Sequence, residues 1–186
     1  MLMKEEKILS INPGTREFGV AVIEDDTLVY YRVKNTGRRR SERGAAGLCQ
    51  DVERCVARLA RQFRPTQFAL KRLHRVYQRG PLLKRIYVQF KRSADDHGLT
   101  VHEFSPTFVR GQLCPRGRPT KLAVAEELCH QYPELSQYLT KPGRQTQKYY
   151  LLMFEAVAVG LVCRQRLKAA RNGKRDSYQS SRVSTH

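Results

Sequence analysis

The feature that most constrains the fold is the order in which strand-forming and helix-forming segments follow one another. Three β-rich segments, residues 7–12, 18–24 and 27–33, are separated only by short turns and predict an antiparallel meander. Farther along, segments with apolar residues at spacings of three and four alternate with β-rich segments at 67–72 and 100–104. A strand that returns to the same sheet through a crossover helix runs parallel to its neighbour. The order therefore predicts an α/β domain with a mixed five-stranded sheet flanked by helices.

Helix periodicity and stop signals set the expected helix bounds. Arg64-Pro65 ends the first helix and Gly98 closes the second. Residues 133–147 are expected to be irregular, and the last dozen residues have no apolar period. We therefore expect one domain over residues 1–171 and a basic, mobile tail over residues 172–186. The predicted helices cover residues 45–63, 82–97, 106–114, 121–132 and 148–171.

The charge of the chain is strongly positive and unevenly distributed. Its formal net charge is +18, from 35 Lys and Arg against 17 Asp and Glu. Residues 37–92 hold sixteen basic and three acidic side chains, and residues 164–186 hold seven and one, whereas the segments before and between them are nearly balanced. Concentrated positive charge repels itself unless an anion neutralises it. The pattern predicts a polyanionic partner, with nucleic acid first and an anionic membrane surface a distant second.

Other features bear on the compartment. No uncharged apolar stretch approaches the length of a membrane span, so we expect no membrane-embedded segment. The N-terminal residues lack the pattern of a secretory signal. The five cysteines form no CxxC pair and are expected to be reduced. We therefore expect a cytoplasmic protein, or one associated with a nucleoid or organelle, that is not secreted.

Several local sequences carry a resemblance to a known family. Residues 8–24 read ILSINPGTREFGVAVIE, and residues 67–74 read QFALKRLH. Residues 101–114, VHEFSPTFVRGQLC, precede GRPTKLAVAEEL at 117–128, and FEAVAVGLVC occupies 154–163. In this order the segments resemble the conserved stretches of the RuvC-type Holliday junction resolvases, over about residues 7–167. The resemblance implies an RNase H-like fold.

The resemblance also implies a nuclease mechanism, for which the matched positions are poorly suited. RuvC-type resolvases hold two metal ions with four carboxylates, which suits the hard Mg²⁺ ion. At the matching positions this chain has Asn12, Lys71, Leu152 and Glu155, of which only Glu155 is a carboxylate. We therefore expect no catalytic residues, no metal ligands and no cofactor. Mg²⁺ or Mn²⁺ would be required only if a rearranged site that uses Glu155 were active.

Other side chains could in principle rebuild a metal site. The carboxylates near the first turns and on the fifth strand are candidates, although turn carboxylates are ordinarily solvated and Glu103 is expected to face solvent or Arg110. The histidines share no ligand spacing, so zinc is not expected. The candidate carboxylates are Glu17, Glu24, Asp25, Asp26 and Glu103.

Basic side chains interleaved with aromatic ones are suited to phosphate contacts and base stacking. Lys71 is expected to make the former active-site cleft cationic, with its ammonium near the place of a metal ion; alternatively it is a strand-end lysine that faces solvent. His74 lies near the place of the family's aromatic wedge, with Tyr77 as a second candidate, and either could instead pack on the next helix. The expected nucleic-acid-binding residues are Arg38, Arg39, Arg40, Arg43, Lys71, Arg72, His74, Arg75, Tyr77, Arg79, Lys84, Arg85, Arg116, Arg118 and Lys121.

Three functions follow from these observations. The first is a catalytically inactive RuvC-like protein that holds branched or duplex nucleic acid, most readily DNA and alternatively RNA. The second is an active, divalent-metal-dependent endodeoxyribonuclease with a rearranged site around Glu155. The third is a structural subunit of a ribonucleoprotein or recombination complex. A homodimer is compatible with the resemblance, and a membrane partner is not expected.

Overall fold

The computed structural model describes most of the chain, with gaps at several basic segments. It covers residues 6–36, 40–73, 80–116, 120–140 and 143–183, and it describes the backbone but not the side chains of residues 40–43, 144–145 and 173–183.

Five strands form one mixed sheet in the order β3-β2-β1-β4-β5. The first three pair antiparallel, whereas β4 pairs parallel with β1 and with β5. The predicted α/β class, meander and parallel crossover are therefore confirmed. The strands are β1 (Lys7–Asn12), β2 (Glu17–Glu24), β3 (Thr27–Asn35), β4 (Gln67–Lys71) and β5 (Thr100–Phe104).

Helices cover both faces of the sheet, and each face has its own apolar core. On one face Phe18, Phe68 and Leu70 pack against the first two helices. On the other face Ala21 and Ala69 pack against the long last helix and the shorter helices before it. Burial on both sides explains why the central strands are nearly continuous apolar runs. The helices are α1 (Arg40–Phe63), α2 (Pro81–Asp96), α3 (Pro106–Leu113), α4 (Lys121–Gln131), α5 (Ser136–Leu139) and α6 (Arg144–Val183).

Two glycines let α6 lie unusually close to the sheet. A Cβ atom at Gly19 in β2 would lie 1.8 Å from the carbonyl oxygen of Leu152. A Cβ atom at Gly160 in α6 would lie 2.7 Å from the Ser10 Oγ atom in β1. Since real Cβ atoms do not approach other atoms so closely, glycine is required at both positions. The close approach at Gly19 fixes the height of Leu152 above the ends of the central strands.

Two predictions for the C-terminal part of the chain differ from the structure. The segment 133–147 is not irregular, because a 3₁₀ turn at Pro133–Leu135, α5 and the start of α6 occupy most of its described part. Buried Leu135 and the neighbouring Tyr138 and Leu139 pack against the core and order this segment. The helix α6 continues past residue 171 to Val183, since extending a helix without proline costs far less than nucleating one. The division of the chain at residue 171 stays a prediction.

The connection between β3 and α1 is shorter than the predicted strand 27–33 and helix 45–63 imply. Residues 40–43 are helical rather than part of the loop, and a break at Gly44, with φ of 58°, separates them from the rest of α1. The positive φ is readily adopted only by glycine, which explains the break at this position.

Neither disulfides nor a membrane-spanning helix occur in the described part of the chain. All five cysteines are unbridged. No described helix combines the length and the apolar character needed to cross a bilayer.

Candidate nucleic-acid interface

The four positions singled out by the resemblance meet at one end of the sheet. Asn12 ends β1 and Lys71 ends β4, and because these strands are parallel neighbours their carboxyl ends lie side by side. The first half of α6 crosses this end and brings in Leu152 and Glu155. Together they line an open cleft of about 540 Å³, which also borders α3 and the start of α4. We call this space the cleft.

Glu155 is the centre of a polar cluster in the cleft. Its Oε2 atom lies 2.8 Å from Lys71 Nζ and 3.3 Å from Lys121 Nζ, and its Oε1 atom lies 3.5 Å from an Arg110 guanidinium nitrogen. Asn12 Nδ2 donates to Glu155 Oε2 and to the Leu152 carbonyl oxygen, both at 3.2 Å. The single carboxylate is therefore held by three cations and an amide.

Burial makes these contacts strong. The side chains of Glu155 and Lys71 are only 10% and 14% exposed. Lys71 therefore does not face solvent as a strand-end lysine would, and the alternative considered for it is wrong. Arg110 is 29% exposed and Lys121 is 48% exposed, so their outer nitrogens remain accessible from the cleft.

The surroundings shift the pKa values of both buried groups. Burial alone would raise the pKa of Glu155, but the charges of Lys71 and Lys121 and their hydrogen bonds bring the pKa below its usual range. Burial lowers the pKa of Lys71, with the positive charges of Lys121 and Arg110 acting in the same direction against the attraction of Glu155. Since the pKa of Glu155 is lowered, this residue is a carboxylate at neutral pH.

The donor set does not fit two divalent cations. Of the four matched side chains, one is a carboxylate, one an amide, one an amine and one an alkyl group. Glu155 with Lys71, Lys121 and Arg110 carries a formal charge of +2, where a two-metal site gathers negative charge. The Lys71 ammonium, 2.8 Å from the carboxylate, already provides Glu155 with a positive counter-charge.

Three of the other candidate carboxylates are engaged elsewhere. Glu24 pairs with Lys7 at 2.6 Å, and Asp26 pairs with Arg164 and Lys168. Glu103 accepts a hydrogen bond of 2.6 Å from the Tyr87 hydroxyl and lies 3.1 Å from Lys91 Nζ. The expectation that Glu103 faces solvent or Arg110 is therefore wrong. Among the described residues, no three His, Cys, Asp or Glu side chains are grouped as a metal site would need.

Some of the predicted nucleic-acid-binding residues converge on the cleft and others do not. Lys71, Arg72 and Lys121 line it. Arg72 also lines an adjoining cavity together with Lys84, so the basic surface continues from the cleft toward α2. Arg85 on α2 and Arg116 after α3 are exposed but line neither space. The remaining predictions lie outside the described residues or side chains: Arg38, Arg39, Arg40, Arg43, His74, Arg75, Tyr77, Arg79 and Arg118.

The sequence reasoning missed Arg110 as a cleft residue. The Ser105 side chain accepts a hydrogen bond from the Phe108 amide at 3.1 Å and thereby starts α3 directly after β5. Arg110 follows Pro106 by four residues, and both line the cleft. The combination of Ser-Pro at a strand end with an arginine one turn later was the available signal.

Comparisons with known proteins give the fold. No family model and no curated protein matches the sequence. Among solved structures, Thermus thermophilus RuvC is 18% identical, with a TM-score of 0.65 over 83% of this chain and 91% of that one. The yeast mitochondrial Holliday junction resolvase is 12% identical, with a TM-score of 0.61 over 92% of this chain and 86% of that one. The fowlpox virus resolvase, solved with Holliday junction DNA, is 16% identical, with a TM-score of 0.52 over 86% of this chain and 99% of that one. The RNase H-like, RuvC-type resolvase fold predicted from the sequence is therefore confirmed.

Proposed function

We propose that this chain binds branched or duplex DNA in the cleft and does not cleave it by a metal-dependent mechanism. The observation that carries the proposal is the cluster in which one buried carboxylate faces Lys71, Arg110 and Lys121. The likeness to resolvases that were solved with Holliday junction DNA supports a junction as the ligand.

The charge of the cluster determines what the cleft can bind. A site that depends on divalent metal is negative while it is empty. Until the metal binds, such a site repels the phosphate backbone. The cluster in this cleft has a formal excess of two positive charges, so a phosphodiester can replace the metals as the attracted ion. Lys121 and Arg110 keep part of their surface open to the cleft and would make the direct phosphate contacts. Lys71 would act mainly through its charge, since Glu155 and the sheet cover most of it.

The same arrangement argues against hydrolysis. In two-metal hydrolysis the ions activate water and stabilise the leaving oxygen. The side chains of Asn12 and Leu152 cannot supply the negative charge that holds such ions. No step through a metal ion is therefore assigned to this cleft.

Binding and cleavage can be measured together. Labelled four-way junction, linear duplex and structured RNA would each be incubated with the protein in EDTA, in Mg²⁺ and in Mn²⁺. We expect retention of the junction in all three conditions, with intact strands. Lys121→Glu should weaken retention about tenfold or more, because it reverses a half-exposed charge in the cleft.

A control variant separates cleft binding from general charge. Arg61→Glu makes the same charge change on the last turn of α1 and should have little effect. Metal-dependent nicks that disappear in Glu155→Ala would contradict the proposal and favour the rearranged nuclease. Weak retention that does not distinguish the three nucleic acids would favour a structural subunit of a larger complex.

A further inference from the structure

A second basic cavity lies between α1 and β3, away from the cleft. Its volume is about 320 Å³, and buried Phe18 forms part of its wall. The polar lining comes from the end of β3 and from two turns of α1. The lining residues are Phe18, Lys34, Asn35, Asp51, Arg54, Cys55 and Arg58. We call this space the α1–β3 pocket.

The pocket has an excess of positive charge. Lys34, Arg54 and Arg58 face a single carboxylate, Asp51, which leaves a formal charge of +2. Arg54 lies 2.6 Å from Asp51 Oδ1, yet its side chain is 66% exposed. Lys34 Nζ lies 5.4 Å from the centre of the Tyr30 ring, a contact that orients the ammonium without neutralising it. Three cations and the Asn35 amide thus offer donors suited to a phosphate.

The charges also affect the thiol in the pocket. Burial raises the pKa of Cys55, while Arg58 and Lys34 act to lower it, and the Arg58 side chain hydrogen-bonds the thiol. Charges on both walls of the pocket therefore act on the same central group. A small anion placed there would be within reach of both α1 and β3.

Sheet register relates the pocket to the cleft. Asn12 in the cleft pairs with Gly19 of β2, and Gly19 pairs with Val33 of β3, the neighbour of Lys34. The strand positions that carry the two sites therefore lie at the same end of the sheet, with their backbones about 10 Å apart at roughly 4.8 Å per strand. Lys34 pairs with Phe18 and shares the face of α1 and α2, whereas Asn12 contacts α6 on the opposite face. A single phosphate cannot contact both sites.

We propose that the α1–β3 pocket is a second phosphate-binding site, which holds a diverging backbone segment of the branched DNA bound in the cleft. The inference rests on the proposed function. A backbone that occupies both sites must pass around the end of the sheet from one face to the other. The strands of a branched DNA diverge at the crossover and can follow that path, whereas a straight duplex in the cleft continues along one face.

The test compares a charge reversal in the pocket with a matched reversal elsewhere. Lys34→Glu/Arg58→Glu changes the charge of the pocket by four, and Arg61→Glu/Arg92→Glu makes the same change on exposed residues near the far ends of α1 and α2. Affinity for a four-way junction and for a linear duplex is measured at one salt concentration. We expect the pocket variant to bind the junction about tenfold or more weakly, with less than about a twofold change for the duplex. The far-end variant should change neither affinity by more than about twofold.

Each other outcome overturns the inference. Unchanged junction affinity in the pocket variant, with the wild type binding normally, excludes the second site and leaves the proposed function standing. An equal loss for junction and duplex excludes a diverging segment as its ligand. A wild type that binds no DNA overturns both proposals. If the reversal variant does not fold, Lys34→Gln/Arg58→Gln replaces it, provided that its circular dichroism spectrum is that of a folded protein. This variant should lose less affinity for the junction than the reversal variant would, in the same direction.

Discussion

At the scale of single residues, Glu155 combines two roles that a surface carboxylate could not combine. It neutralises part of the charge of Lys71, and it holds that lysine in the wall of the cleft. The Asn12 amide, which donates to the carboxylate and to the Leu152 carbonyl, ties β1 to α6 through the same cluster. In this structure, the carboxylate at the position that resembles a catalytic one is the counter-charge of Lys71 and part of a link between β1 and α6.

This role makes the stability of the protein sensitive to Glu155. Glu155→Gln leaves the Lys71 ammonium buried without its closest counter-charge, and breaking a buried pair in this way costs about 3 kcal/mol or more. We expect the free energy of unfolding, measured in urea at pH 7, to fall by about that amount. Glu24→Gln breaks a pair that is 27% and 30% exposed, and it should cost less than about 1 kcal/mol. Equal losses in the two variants would show that Glu155 does not have this role.

The effect of Glu155→Gln should also depend on pH. Because the folded state lowers the pKa of Glu155, the carboxylate contributes stability above its unfolded pKa of about 4.3, and this contribution is lost as the pH falls through the lower folded value. The difference between wild type and Glu155→Gln should be constant near neutral pH and should shrink below about pH 4.3. Urea titrations at several pH values measure this difference. A difference that stayed constant into strong acid would be inconsistent with a lowered pKa.

At the scale of elements, the closeness of α6 to the sheet positions the cleft. Gly19 admits the Leu152 carbonyl above β2, and Leu152 and Glu155 lie within one turn of each other on α6. Gly19→Ala must therefore displace α6 or β2, at a cost of about 1–3 kcal/mol, and the displacement should also weaken DNA binding. Thermal unfolding and junction binding measure the two effects.

A matched glycine in a helix serves as the control. A Cβ atom at Gly111 in α3 meets nothing within 4 Å, and its φ lies outside the left-handed range. Gly111→Ala should leave binding unchanged and should stabilise the protein by up to about 1 kcal/mol, because alanine favours the helix. If Gly19→Ala behaved like Gly111→Ala, the close contact with α6 would not position the cleft.

The bounds of the elements can be predicted from the sequence more readily than the contacts between them. The bounds predicted for β5, residues 100–104, agree with the structure, because alternation and flanking turn residues are local signals. The meeting of Asn12, Lys71, Leu152 and Glu155 was expected only through the resemblance, since these residues are up to 143 positions apart. Lys121 was predicted as a phosphate contact, and a local signal for Arg110 was available at the end of β5. The pairing of both residues with Glu155 could not be predicted, because it depends on how α3 and α4 pack against α6.

At the scale of the whole molecule, three basic spaces lie around one end of the sheet. The cleft and the adjoining cavity at Arg72 and Lys84 lie near the carboxyl ends of β1 and β4. The α1–β3 pocket lies at the end of β3, which the sheet register places at the same end. Elsewhere, carboxylates neutralise part of the charge, as where Asp26 and Glu6 pair with arginines of α6. These three spaces therefore concentrate positive charge at one end of the described structure.

We expect this distribution to make the proposed DNA binding strongly dependent on salt. The logarithm of the binding constant should fall linearly with the logarithm of salt concentration, with a slope of about −0.9 for each phosphate neutralised on duplex DNA. Lys121→Gln removes one half-exposed cation from the cleft, so it should weaken binding to every sequence alike and should reduce the magnitude of the slope by about 1. Arg61→Gln, at the far end of α1, should leave the slope unchanged. Fluorescence anisotropy with one junction from about 50 to 200 mM salt measures both slopes. Equal slopes for wild type and Lys121→Gln would place the bound phosphates outside the cleft and would contradict the proposed mode of binding.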